Sequence, residues 1–268
     1  MLLRLLAQLA RVRATAAYAV VVTCVTVALY GLGPQVQDWV VRHVSTNLHN
    51  LSRGHLSTLL YSAFVIDAGP IYVWLPGLVC LLAVAELMWG SVRVVVAFAV
   101  GHLGATLLVA AGLTAAVKLA WLPASVSRAT DVGMSYGAVA VLGSLTTAIP
   151  RRWRAAWIGW FVAVGVAMVA VGRDFTDSGH AVALALGMLL SARFGRPHDW
   201  TRVRFALLRV AAAFGFLVLG STDLLMATAA GLAGAVMAEA LTRRHIARAP
   251  ASNACEVTTG DRVRSPGG

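Results

Sequence analysis

A polytopic bundle of transmembrane α-helices, all-α, is the fold class this sequence predicts, and three observations predict it. Hydrophobic residues make up 59% of the 268 positions and charged residues only 12%. A soluble domain carries about 25% charged residues to stay hydrated. The apolar residues also gather in runs near the roughly 20 positions that a helix needs to cross a bilayer. Those runs are continuous in Ala, Val, Leu and Gly, without the period-2 alternation of a membrane β-barrel strand.

Residues 1–13 read as a basic amphipathic start, with Arg4, Arg11 and Arg13 among leucines. Residues 14–32 form a first helix, too long for the core of a cleaved signal. A polar, His-containing loop follows, and then a half-apolar, interfacial stretch over 55–66. The second span covers 70–89 and the third 92–116. Pro123 breaks the loop at 121–131. The fourth span runs from 132 to Pro150, where Arg151, Arg152 and Arg154 stop it. A fifth covers 155–172 and a sixth 178–192. Two further apolar stretches, 205–220 and 224–241, are separated only by Ser221, Thr222 and Asp223; they are two spans or one re-entrant hairpin. The tail from Thr242 is rich in Arg, Ser and Gly and reads as disordered. The chain thus divides into a cytoplasmic N-terminus (1–13), a transmembrane core (14–195), an additional C-terminal transmembrane hairpin (196–241) and a cytoplasmic tail (242–268).

The formal net charge of +11 would suit nucleic acid on a soluble chain. Here the arginines flank apolar runs, which is the positive-inside pattern of a membrane protein, and no nucleic-acid partner is expected. With both termini cytoplasmic, the inner face holds Arg93, Arg151, Arg152, Arg154, Arg193, Arg196, Arg202, Arg204 and the terminal arginines. The outer face keeps Arg42, Arg53, Lys118, Arg128 and Arg173. That asymmetry predicts a multi-pass protein of the cell membrane, with lipid as its surroundings. Cys24, Cys80 and Cys255 are scattered, so neither a disulfide framework nor a metal site is expected, and no cofactor is implied.

Polar residues inside spans are costly and mark function. Ser135 lies just inside the fourth span and His180 just inside the sixth. Both spans run inward from the outer face, so the two side chains are expected at similar shallow depth. A serine hydroxyl is a poor nucleophile until a base takes its proton, and serine with histidine is the smallest set that does this. Backbone hydrogen bonding by the serine and an interfacial place for the histidine are the bland alternatives. Gly133, Gly137 and Ala140 on one span, and Ala183 and Gly187 on the other, are small residues at helical spacing. Such faces let two helices approach closely.

The flanking residues resemble the rhomboid family of intramembrane serine proteases. Glu86-Leu87-Met88-Trp89-Gly90-Ser91-Val92-Arg93 matches the family's Glu, three residues, Gly, two residues, Arg. Gly101-His102-Leu103-Gly104 is similar to its paired glycines. Gly133-Met134-Ser135 stands at Gly-x-Ser, with Gly143 eight residues on, and His180, Ala183 and Gly187 follow His-x-x-Gly-x-x-x-Gly with Ala for the first glycine. Residues 54–64 resemble the entry to the family's first-loop region. The resemblance implies a six-helix core plus about two extra helices. It also implies a Ser135–His180 dyad that cleaves transmembrane protein substrates near the outer face. Glu86, Gly90 and Arg93 read as structural, at the cytoplasmic end.

Three positions depart from the family. Where it has a His and an Asn that hold the oxyanion, this chain has Tyr72 and Pro76, and Tyr136 replaces the glycine after the nucleophile. Proline supplies no donor; the Ser135 N–H, Tyr72 and Asn50 are the candidate donors. Asp177, three residues before His180, either orients the imidazole or caps its helix. The alternative to a protease is a pseudoprotease that binds membrane-protein clients without cutting. A transporter is disfavoured, because Glu86 apart, few ionisable residues lie deep in the spans and no inverted repeat is evident.

Overall fold

The computed structural model describes residues 10–46, 54, 57–65, 71–123, 134–172 and 174–248. Residues 1–9, Asn50, Gly133 and the tail beyond 248 lie outside the described residues. The helices are α1 (Arg13–Leu32), α2 (Pro34–Val44), α3 (Thr58–Tyr61), α4 (Ile71–Trp89), α5 (Ser91–Lys118), α6 (Ser135–Ser144), α7 (Arg151–Val171), α8 (Phe175–Ser191), α9 (Arg202–Leu219) and α10 (Leu224–Arg248). No strand occurs among the described residues. Five helices, α1, α4, α5, α7 and α10, are long and apolar enough to cross a membrane.

Two stretches within the expected transmembrane core differ from the sequence expectation. The expected loop after the first span contains α2, with Pro34 in its first turn, where the missing N–H costs nothing. Val36, Val40, Val41 and Val44 form one apolar stripe, which Gln35, Gln37 and Asp38 obscure in a reading by composition. The fourth span is the ten-residue α6, followed by turns over 145–149. Residues 136–144 are all buried, so the apolar run there reflects enclosure by protein and not contact with lipid.

Helix α6 is the axle of the bundle. It packs against α5 and α8 most extensively, and also against α4 and α9. Leu142 and Leu145 lie fully buried with Leu78 and Leu81 of α4. Lipid tails are as apolar as leucine, so close packing and hydrogen bonding must hold such a bundle together. Ala140 illustrates the packing: a methyl group on Gly101 of α5 would sit 2.0 Å from its Cβ, and one on Gly187 of α8 would sit 2.0 Å from its carbonyl oxygen. Three helices meet at that alanine. The C-terminal pair is not a hairpin folded on itself, for α9 lies on α4 and α6 while α10 lies along α7. Helix α10 also continues through Arg248, past the start expected for the tail.

At one end of the bundle Glu86, 2% exposed, caps the first helix from a distance of 72 residues in the chain. Its Oε1 accepts from the Ala14 N–H at 2.9 Å and from the Ser91 hydroxyl at 2.6 Å. Its Oε2 accepts from the Thr15 N–H at 2.8 Å and from the Thr15 hydroxyl at 2.7 Å. A carboxylate at a helix N-terminus satisfies free N–H groups and favours the dipole. Gly90, at φ +83° and ψ 161°, turns the chain sharply into α5, a conformation open essentially to glycine. Arg93 donates to the Trp89 carbonyl at 3.4 Å. Glu86→Ala leaves these donors without their carboxylate. It is expected to lower stability by roughly 2–4 kcal/mol, with Glu86→Gln less severe, as measured by thermal unfolding in detergent.

Candidate functional site

The opposite end holds Ser135 and His180. Helices α6 and α8 run in the same direction there. Going down the pair, Tyr136 lies on Gly179 and His180, and Gly143 faces Leu184 and Met188. A methyl group on Gly143 would come within 2.4 Å of the Leu184 carbonyl oxygen, so backbone touches backbone. The first turn of α6 is therefore level with the second turn of α8, which brings Ser135 and His180 to similar depth.

Ser135 opens α6 and is half-buried. Met134, at its N-cap, makes no side-chain capping hydrogen bond. His180 is 5% exposed, and neither of its ring nitrogens has a hydrogen-bond partner among the described residues. Buried polar atoms are almost always paired, and each exception calls for a reason. The Tyr136 ring packs on the imidazole edge-on, with centroids 5.3 Å apart and planes at 81°. It also fills the space above Gly179, where a Cβ would come within 2.3 Å of the ring. Tyrosine in place of the family's glycine thus covers the histidine.

The other expected residues fall in distinct places. Gly137 accommodates the Phe98 ring of α5 and does not face α8. Ala183 is fully buried beside the α6–α8 contact. Tyr72 is 76% exposed at the start of α4, and Pro76 sits within that helix. The α8 cap is Asp174, whose carboxylate accepts from the Thr176 N–H at 3.2 Å. Asp177 is buried and accepts from the Thr222 hydroxyl at 3.3 Å on both oxygens. Its carboxylate ties the α9–α10 turn to the start of α8 and forms no bond to the His180 ring. An open groove of about 430 Å³ runs beside this end, lined by residues such as Gly112, Ser178 and Val182, but neither Ser135 nor His180 lines it. No grouping of His, Cys, Asp and Glu that could hold a metal occurs among the described residues.

A second serine–histidine contact escaped sequence reasoning, although a histidine within a span is itself a signal. His102 Nε2 lies 3.1 Å from Ser62 Oγ and 3.0 Å from the Leu59 carbonyl oxygen. A carbonyl oxygen only accepts, so Nε2 carries the proton and does not take one from Ser62. The pair fastens the stretch 57–65 to α5, helped by Tyr18, whose hydroxyl donates to the Ala63 carbonyl at 2.5 Å. It is a structural clasp and not a second dyad.

A family model described as a rhomboid-like protein matches residues 9–193. No curated protein and no solved structure matches the chain. The match takes in α1 to α8 and stops before α9 and α10.

Proposed function

Because the chain belongs to the rhomboid-like family of membrane proteins, we propose that it is an intramembrane serine peptidase that cuts transmembrane protein substrates near the outer membrane face. Ser135 is the nucleophile and His180 the general base. The observation that favours this reading is the imidazole itself. Two nitrogens without a hydrogen-bond partner among the described residues, buried and level with a half-buried serine, serve no structural need there.

The residues have work in every step. As Ser135 Oγ bonds to the scissile carbonyl carbon, its proton passes to His180. The negative oxygen that forms is held by the backbone N–H of Ser135 at the start of α6, in the manner of an oxyanion hole. The carbon–nitrogen bond then breaks, and His180 returns the proton to the leaving amine. Water repeats the sequence on the ester: His180 takes its proton, the acid departs, and Ser135 regains its hydrogen. Tyr136 must swing off the histidine before Ser135 can reach it. With Pro76 lacking a donor, turnover is expected to be slow, since one missing oxyanion donor costs roughly 100- to 1,000-fold.

The Tyr136 contact also favours a second reading, a pseudoprotease in which this cover stays shut and the bundle binds membrane-protein clients. A fluorophosphonate probe separates the two, because it reacts only with an activated serine. The purified protein in detergent is expected to label, and Ser135→Ala to lose all label. A folded protein that stays unlabelled beside an active rhomboid would leave the client-binding reading.

A further inference from the structure

We propose that the groove between α7 and α10, at the end of the molecule where α7 begins, is a binding site for an anionic phospholipid. The two helices run antiparallel and in close contact. Gly159 meets Gly234, where an added Cβ would come within 2.2 Å of the Gly234 carbonyl oxygen, and Trp160 covers Gly231. Following that register toward the start of α7 brings Ala156 beside Glu239 and Arg243, which line one open groove of about 500 Å³ with Ala235, Val236 and Ala240. One turn further, Arg151 and Arg152 stand level with Arg243 and Arg244. All four are exposed.

These arginines differ from their neighbours in what they already hold. Arg154 is spent on the fold, donating to the carbonyls of Thr147 at 2.6 Å and Ile149 at 3.0 Å. Arg152 lies over the Trp153 ring at 4.5 Å, and Arg243 pairs with Glu239 at 3.0 Å while remaining 82% exposed. Four guanidinium groups against one carboxylate leave a strong positive surplus at the rim. Below the rim the floor is alanine and valine. A charged head group above an acyl chain matches that order of surfaces, and arginine suits the planar recognition of phosphate oxygens. Half of the site comes from α10, beyond the residues that match the family.

The test is native mass spectrometry of the full chain in detergent, titrated with phosphatidylglycerol or with phosphatidylcholine of the same acyl chains. Phosphatidylglycerol is expected to bind more tightly. Changing Arg151, Arg152, Arg243 and Arg244 to Gln is expected to weaken it on the order of fivefold per arginine. Glu239→Gln, which frees Arg243, is expected to tighten it by a few-fold. Equal binding of the two lipids, or a quadruple variant that binds phosphatidylglycerol like the parent, would overturn the proposal. So would full displacement by inorganic phosphate at the same concentration, which would make this a site for the free ion. Should the quadruple variant fail to fold, Glu239→Gln decides alone, and unchanged or weaker binding counts against the site.

Discussion

His180→Ala is expected to abolish fluorophosphonate labelling at Ser135 while the protein stays folded. Among the described residues the nearby carboxylates are committed elsewhere: Asp177 is engaged with Thr222, and Asp174 caps α8 from outside. Loss of the base in a serine hydrolase costs roughly 10⁴-fold or more, which carries the label below detection. Stability should respond less than burial alone suggests. The ring is enclosed, but its nitrogens have no partners among the described residues, so truncation removes an unsatisfied pair along with the packing on Tyr136. The net change is expected within about 1 kcal/mol. Thermal unfolding measured beside the labelling keeps the two effects apart. A variant that folds normally and still labels would mean that Ser135 is activated by something other than His180.

The spans were legible because length and apolarity are what a bilayer selects, and Arg13–Leu32, Ile71–Trp89 and Ser91–Lys118 fall within a few residues of the expected runs. The same signal misleads at the fourth span. Leu145, Ala148 and Ile149 are buried because α6 and its exit are enclosed by other helices, and hydropathy does not distinguish enclosure by protein from contact with lipid. Polar residues on the outer face of α2 hid its stripe of valines. Partner choice was less legible still. Periodicity places Gly137 and Ala140 near one face, yet only three-dimensional packing gives Gly137 to Phe98 and sets Ala140 between Gly101 and Gly187. Glu86 was legible as structural from its place at a helix end, whereas its cap on α1 joins residues 72 apart, a separation over which no spacing rule reaches. Ser135 and His180 stood out as polar groups near the starts of two spans, and the flanking residues that resemble the rhomboid family gave them their expected roles. The cover that Tyr136 forms over the histidine arises only from the packing of α6 on α8.

Gly187→Leu is expected to be the most damaging single change outside the dyad. The α6–α8 contact leaves no room at that position: a Cβ would sit 2.0 Å from the Ala140 carbonyl oxygen and 2.7 Å from its carbon. Neither atom belongs to a flexible side chain, so the helices must separate. Helix α6 cannot give way, since Gly101 of α5 presses on Ala140 from elsewhere. Overpacking of a tight core costs about 1–3 kcal/mol and more where backbone must move, and here the loss is expected at or above that upper figure. Gly187→Ala should show the same direction at smaller size. Gly112→Ala on α5, where nothing lies within 4 Å of the added methyl, should be neutral or stabilising by up to about 1 kcal/mol, as for any open helical glycine. The functional consequence is separable from the loss of stability. Moving α8 off α6 carries His180 away from Ser135, so the fraction of Gly187→Leu or Gly187→Ala protein that remains folded should label less per molecule than the parent. Equal labelling per folded molecule would mean that the close approach of α6 and α8 serves packing alone, and that the serine and histidine do not depend on it.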